Sequence, residues 1–185
     1  MFIDAKKAHL NPKCEVPVFC ELPEEANCPK GLCAKLNFWL YGFRPAAAAW
    51  EKLYSGLLCG VGFERGESCG VVFYHPERDL SLSVHGDDFT FCGMEQDLFW
   101  IRDLMASWFE IKVRGILGGG ANDEKQMTIL GRTVRWAERG LTYEADEQNR
   151  TRVLNFFGFG EGSRPLAVNG DKEEAVEDED FEDLD

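Results

Sequence analysis

The sequence predicts an α+β fold in which helices cover one face of an antiparallel sheet. Two amphipathic stretches at residues 46–59 and 94–109 read as helices, and apolar alternation runs into and out of a Gly-Asp-Asp turn at residues 86–88. Runs of strands flanked by helices, without strict alternation, indicate an antiparallel sheet with helices packed on one face. The split β-α-β, or ferredoxin-like, arrangement fits this order of elements.

Length and charge predict one folded body followed by an acidic tail. The chain of 185 residues is long enough for one domain with a substantial core. Of its 33 acidic and 20 basic residues, ten acidic residues and one lysine lie at 171–185, so the rest carries 23 acidic and 19 basic residues. We therefore expect a folded domain over residues 1–158 and a Gly-rich, then acidic, disordered tail over residues 159–185.

Cysteine usage and hydropathy exclude several protein classes. The seven cysteines are odd in number and include no Cys-x-x-Cys pair, which argues against a zinc site or a secreted disulfide framework. The opening residues lack the apolar core of a signal peptide. No apolar run approaches the ~20 residues that span a bilayer. We expect free thiols in a cytoplasmic protein that does not bind membranes.

The first third of the chain predicts three strands and a helix. Phe2 and Ile3 lead into Asp4, so a strand ends close to the start of the sequence, and we expect an upstream part of the protein to be missing. Residues 16–22, an edge strand because of their proline, and residues 32–41 are the next strands. Four alanines favour the helix at 46–59, whose apolar residues recur on one face: Trp50, Leu53, Tyr54, Leu57 and Leu58.

The remaining elements alternate between strands and helices. The predicted strands are residues 69–74, the hairpin arms 80–84 and 89–92, residues 109–113, and a second hairpin of 127–136 with 141–143. The helix at 94–109 carries Leu98, Ile101, Leu104, Met105 and Trp108 on one side. The triple glycine at 118–120 lacks the Gly-Lys-Ser/Thr ending of a phosphate loop. Asp146 is the predicted N-cap of a last helix at 146–157.

Three aspartates are the candidate functional residues. Asp4 ends one strand, while Asp87 and Asp88 cap the hairpin, and neighbouring central strands would place Asp4 next to Asp87. Carboxylates around one point repel each other unless a cation neutralises them. Mg²⁺ takes one or two carboxylates plus substrate phosphates, as two-metal phosphoryl transfer requires. The alternative is structural, because Asp and Gly favour tight turns for local reasons and Asp4 could simply end a strand.

Four sequence blocks resemble, in order, those of copia-type retrotransposon reverse transcriptases. Residues 4–11 (DAKKAHLN) are similar to the family's Asp-Val-x-x-Ala-Phe-Leu-Asn block. Residues 40–50 (LYGFRPAAAAW) are similar to Leu-Tyr-Gly-Leu-Lys-Gln-Ala-Pro-Arg-Ala-Trp. Residues 84–89 (VHGDDF) resemble the Tyr-Val-Asp-Asp block, and residues 129–132 (ILGR) resemble Phe-Leu-Gly-Ile. The resemblance covers residues 1 to about 158 and implies the palm domain of a polymerase.

The resemblance assigns roles to particular residues. It implies that Asp4 and Asp87 bind two Mg²⁺ (or Mn²⁺) ions, supported by Asp88, in RNA-directed DNA synthesis. It implies substrate contacts and a primer-supporting turn from other blocks: His9, Tyr41, Gly42 and Arg44 for the substrate, and Leu130 and Gly131 for the primer. His9 replaces the family's aromatic residue beneath the sugar. Pro45, Ala47 and Ala48 replace its glutamine, proline and arginine, so we expect weak or no activity from this fragment.

The resemblance also implies partners and leaves alternatives open. The partners would be an RNA/DNA primer-template, a deoxynucleoside triphosphate, and the fingers, thumb, RNase H and integrase domains of a polyprotein. The location would be the cytoplasm, a virus-like particle or the nucleus. One alternative is a non-catalytic transposon relic or acidic interaction module. Another is a nucleotide cyclase-like palm, which uses similar carboxylates on strands.

Overall fold

The computed structural model describes residues 1–29, 31–144, 146–160 and 162–163. The first part of the chain forms three strands and a helix: β1 (Phe2–Ala5), β2 (Phe19–Glu21), β3 (Cys33–Lys35) and α1 (Ala46–Gly60). Two short 3₁₀ helices, Ala8–Leu10 and Glu24–Ala26, lie in the connections.

Four strands and the second long helix follow α1. They are β4 (Glu64–Arg65), β5 (Val72–His75), β6 (Leu80–His85), β7 (Asp88–Cys92) and α2 (Glu95–Trp108). The last elements are β8 (Ile111–Gly115), β9 (Gln126–Ile129), β10 (Arg132–Ala137), β11 (Gly140–Glu144) and α3 (Glu147–Phe156).

The main sheet has six strands in the order β4-β5-β6-β7-β1-β8. All of its pairings are antiparallel, so β1 lies inside the sheet between β7 and β8. A separate three-stranded sheet has the order β11-β10-β9, and β2 pairs with β3 in a short ribbon. The described residues thus confirm the α+β class with an antiparallel main sheet.

The core lies between one face of the main sheet and the helices α1 and α2. Alternate residues of β6 are buried, and the same alternation runs through β5 and β7. These side chains form one cluster with the apolar sides of α1 and α2. The buried members from sheet and helices include Ile3, Phe73, Leu82, Val84, Phe89, Phe91, Trp50, Tyr54, Leu58, Leu98, Ile101 and Met105. Both helices therefore cover the same face. Among the described residues, the alternate positions on the opposite face, here named the open face, are exposed in β5 and β6 and partly exposed in β1 and β7.

The structure confirms the predicted helices and the central hairpin and corrects several strand boundaries. The stretches 16–22 and 32–41 contribute only the three-residue strands β2 and β3. The stretch 127–136 is not one strand, because Leu130 and Gly131 form a turn between β9 and β10. Strand β8 extends to Gly115 rather than ending at residue 113.

Helix α3 and the described residues that follow it are exposed and lie outside the core. Asp146 caps α3 as predicted, since its side chain accepts hydrogen bonds from the backbone N–H groups of Gln148 and Asn149. None of the α3 residues is buried. Most of the predicted tail at 159–185 lies outside the described residues. Among the described residues, no helix is long and apolar enough to cross a membrane.

The location of the core predicts that shortening a side chain in α2 destabilises the protein more than shortening one in α3. Ile101 of α2 is fully buried, whereas Val153 of α3 is 56% exposed. We expect Ile101→Ala to lower the free energy of unfolding by about 2–5 kcal/mol through lost burial and a residual cavity. Val153→Ala should change it by less than about 0.5 kcal/mol. Urea denaturation followed by circular dichroism measures both, and equal losses would contradict this location of the core.

Candidate functional site

The β6–β7 hairpin turns at Gly86 and Asp87 and is fixed from two sides. His85 pairs with Asp88, so the turn has two residues, and Gly86 has φ +65°, which suits a turn with glycine at its first central position. The backbone N–H of Ala5 donates to the Asp87 carbonyl at 2.8 Å. The indole N–H of Trp50 donates to the Gly86 carbonyl at 2.9 Å. Strand β1 and helix α1 therefore both hold the turn.

The register places Asp4 opposite Asp88, not next to Asp87 as predicted. Asp4 pairs with Asp88 across β1 and β7, while Asp87 occupies the turn and is exposed. Ile3 and Phe89, next to them in sequence, are buried in the core. Because side chains alternate along a strand, Asp4 and Asp88 project from the open face. Asp87 lies in the turn, one residue before Asp88, and is not part of this pair.

Arg114 joins the two carboxylates. Its Nη2 atom lies 3.1 Å from Asp4 Oδ2 and 3.1 Å from Asp88 Oδ1. The β1–β8 register passes from the pair Ile3–Val113 to the pair Phe2–Gly115, so Arg114 is the extra residue of a bulge. Bulges redirect side chains and occur often next to active sites. A single guanidinium nitrogen thus marks the point on which Asp4 and Asp88 converge.

The surroundings of Asp88 act on its ionisation in opposing directions. Burial raises the pKa of the Asp88 carboxyl above its ordinary value, and the guanidinium of Arg114 lowers it. The carboxylates of Asp87 and Asp4 raise the pKa further, and His85 lowers it. The net shift is upward, so the folded protein favours the neutral form of Asp88 more than the unfolded chain does.

The oxygen ligands at this site match the chemistry of a hard divalent cation. Asp4 and Asp88 direct one oxygen each toward a common point, which Arg114 reaches, and Asp87 is their neighbour on the turn. Within the ranges described, no three His, Cys, Asp or Glu side chains form a cluster that could hold a metal. A cation bound here would take carboxylate oxygens from two residues of the chain and complete its shell with substrate oxygens or water, an arrangement that Mg²⁺ adopts in other proteins.

The residues predicted to contact the substrate lie partly together. The rings of His9 and Tyr41 are in contact, with centroids 4.7 Å apart and planes tilted by 34°. His9 lies in the 3₁₀ helix that follows β1, and Gly42 continues the turn after Tyr41 with φ +88°. Arg44 forms no ion pair within the described residues. The first and second sequence blocks thus meet at the His9–Tyr41 contact.

The predicted primer-supporting block lies beside the carboxylate pair. Leu130 and Gly131 form the two-residue β9–β10 turn, both with positive φ, and Leu130 is 54% exposed. A small cleft next to this hairpin is lined by residues of β1, β7, β8 and β9: Phe2, Ile3, Asp88, Phe89, Thr90, Arg114, Thr128 and Ile129. Residues just before the turn therefore share a cleft with Asp88 and Arg114.

Sequence patterns did not predict the contacts that two residues make at the site. Arg114 fell outside the strand predicted for residues 109–113, and no sequence pattern marks a bulge there. Trp50 was predicted only as a member of the apolar face of α1. Its burial confirms that prediction, but its hydrogen bond to Gly86 adds a second role. The periodicity of α1 indicates which face is buried but carries no signal for a contact with one particular turn carbonyl.

Comparison with known proteins identifies no relative of the chain. No family model, no curated protein and no solved structure matches it.

The Trp50 hydrogen bond predicts a cost for losing the indole N–H. Trp50→Phe keeps an aromatic ring in the core but leaves the Gly86 carbonyl without this donor. We expect it to lower the free energy of unfolding by about 1–3 kcal/mol more than Trp108→Phe does. Trp108 is half-buried and has no recorded indole hydrogen bond in the described part of the chain. Similar losses in urea denaturation of the two variants would contradict a role for this bond.

The raised pKa of Asp88 predicts a pH-dependent effect of Asp88→Asn. Because the pKa is higher in the folded protein, ionisation of Asp88 destabilises the fold, and this loss develops as pH rises through the raised folded-state pKa. The introduced amide would stay neutral and escape the loss. We therefore expect the stability of Asp88→Asn relative to wild type to be greater at pH 7 than at pH 3.

Urea denaturation in EDTA-containing buffers at both pH values measures this difference. Ser83→Ala, an exposed neutral change on the neighbouring strand β6, provides the control for a general effect of substitution. A relative stability of Asp88→Asn that is the same at pH 3 and pH 7, or lower at pH 7, would refute the prediction.

Proposed function

We propose that this chain is the palm module of a copia-type reverse transcriptase, built for metal-dependent nucleotidyl transfer. The observation that carries the proposal is the pairing of Asp4 with Asp88 on the open face of the sheet, at the end of a hairpin. Two sequence-distant carboxylates of the family's first and third blocks meet there. Turn chemistry alone explains Asp87 and Asp88 but not the pairing of Asp88 with Asp4.

The connectivity of the main sheet supports a ferredoxin-like palm. Helix α1 lies between β1 and β6 in sequence, and α2 lies between β7 and β8. The strands of this unit are ordered β8-β1-β7-β6, with β5 and β4 added beyond β6. This is the order expected of a split β-α-β unit in which both helices cover one face.

The residues of the chain would divide the work of binding. Asp4, Asp87 and Asp88 would hold Mg²⁺ or Mn²⁺, which when bound activates a 3′-hydroxyl and stabilises charge on the transferred phosphate. The contacting rings of His9 and Tyr41 would lie beneath the sugar of an incoming nucleotide. The Leu130–Gly131 turn, next to the cleft at Asp88, would support the primer end.

The implied partners follow from this assignment. An RNA/DNA primer-template and a deoxynucleoside triphosphate would bind on the open face, and fingers, thumb, RNase H and integrase domains would belong to the same polyprotein. The cytoplasm, a virus-like particle or the nucleus would be the location. The changes at Pro45, Ala47 and Ala48 lead us to expect weak activity.

A second candidate function is a non-catalytic relic or acidic interaction module. The observation that favours it is Arg114, whose guanidinium forms an ion pair with both Asp4 and Asp88. A carboxylate pair kept for an internal ion pair would need no nucleotide. The concentration of acidic residues at 171–185 is compatible with a basic partner, although such tails commonly serve only solubility.

Primer extension on an RNA template tests the proposed function. With Mg²⁺ or Mn²⁺ and deoxynucleoside triphosphates, we expect slow, template-dependent addition of nucleotides by the full chain. Asp4→Asn and Asp88→Asn should reduce the addition to background, because each removes one carboxylate of the proposed metal-binding pair. Asp103→Asn, an exposed change in α2 on the covered side of the sheet, should retain it.

The possible outcomes separate the two candidates. Addition that survives Asp4→Asn and Asp88→Asn would contradict the assigned metal site. No addition, together with no metal-dependent binding of a deoxynucleoside triphosphate in equilibrium dialysis, would favour the non-catalytic module.

A further inference from the structure

We propose that Arg114 is a built-in counter-ion of the Asp4–Asp88 pair, which a divalent cation must displace in order to bind. The inference rests on the proposed metal-binding role of these carboxylates and adds a control on it. It assigns to one side chain of the chain itself a function that the sequence resemblance does not contain.

The geometry around Nη2 of Arg114 carries the inference. This one nitrogen is 3.1 Å from an oxygen of each aspartate, and it donates a hydrogen bond to Asp4 Oδ2. A cation held between the two carboxylates by the oxygens that now face Arg114 would lie about 2.0–2.1 Å from each of them if it is Mg²⁺. The guanidinium and the metal would therefore compete for one place.

The strand around Arg114 holds the guanidinium there without burying it deeply. Arg114 is the extra residue of the β8 bulge, and the next residue, Gly115, has φ +141°. The Arg114 side chain is 40% exposed, against 24% for Asp4 and 27% for Asp88. An ion pair this accessible to water is weak enough to open when a stronger ligand for the carboxylates arrives.

Lys112 provides a matched comparison on the same strand. It pairs with Asp4 in the β1–β8 register and is exposed, so it carries the same charge close to the same carboxylate. No ion pair of Lys112 is recorded within the described residues. Removing the charge of Lys112 changes only the local electrostatic potential. Removing the Arg114 guanidinium also frees the position between the two carboxylates that a cation would occupy.

Titration of the full chain with MnCl₂, followed by the electron paramagnetic resonance signal of free Mn²⁺, tests the inference. The 15 residues at 171–185 carry ten acidic side chains that also bind cations, so the site component is defined by subtraction. The reference in each background is the variant that also carries Asp4→Asn and Asp88→Asn. We expect Arg114→Gln to bind Mn²⁺ at the site roughly 3- to 10-fold more tightly than wild type, the factor expected from two exposed ion pairs.

Lys112→Gln should raise the Mn²⁺ affinity of the site by less than about twofold, because an exposed charge without an ion pair is largely screened. An equal gain in Mn²⁺ affinity for Lys112→Gln and Arg114→Gln would show that the effect comes from the loss of any nearby positive charge, and it would overturn the inference. So would an Arg114→Gln protein that binds Mn²⁺ at the site no more tightly than wild type.

A second measurement uses the wild-type protein and does not depend on the folding of a variant. Phenylglyoxal modifies arginine side chains, and peptide mass spectrometry gives the rate at each position. We expect MnCl₂ to speed the modification of Arg114 and leave Arg135, which pairs with Glu144 in the smaller sheet, unchanged. An Arg114 rate that does not respond to MnCl₂ would also overturn the inference.

Failure of this inference is distinguishable from failure of the proposed function. Primer extension lost with Asp4→Asn, combined with no gain in Mn²⁺ affinity for Arg114→Gln, would support the polymerase assignment without the counter-ion. Tight Mn²⁺ binding by Arg114→Gln without any nucleotide addition would support the counter-ion in a protein that does not polymerise.

Discussion

The candidate site depends on strand β1 pairing with β7 on one side and with β8 on the other. The first pairing brings Asp4 opposite Asp88, and the second brings Arg114 to both. Neither contact is local, since 84 positions separate the two aspartates and 110 separate Asp4 from Arg114. The same pairings bury Ile3 and Phe89 against α1 and α2, so the core that stabilises β1 also fixes the functional face.

Sequence patterns predicted the parts of this arrangement that follow from periodicity. The apolar residues of the first long helix and the alternation on both hairpin arms are confirmed by burial in α1, β6 and β7. The prediction that Asp4 lies next to Asp87 was wrong, because the partner of Asp4 depends on which residues form the hairpin turn. Gly86 takes the first turn position with positive φ, and this places Asp87, rather than Asp88, off the strand.

Arg114 was not predictable for a different physical reason. A bulge inserts one extra residue into a strand and so interrupts the alternation of side chains between the two faces. Beyond a bulge, counting alternate residues in the sequence therefore no longer indicates which face a side chain occupies. Residues 109–113 gave a strand signal that ended before the bulge, whereas the pairing with β1 carries the strand to Gly115. Long-range pairing, and not local propensity, therefore sets the position of the guanidinium.

The ion pair at Arg114 also explains how a pair of carboxylates can persist on the open face of the sheet. Asp4 and Asp88 are adjacent and about three-quarters covered, and without a nearby cation their mutual repulsion would oppose the pairing of β1 with β7. A bound metal or an arginine can each remove that repulsion. Because Arg114 lies on β8, its ion pairs with Asp4 and Asp88 link β8 to β1 and β7, so this interaction contributes to the order of strands in the sheet.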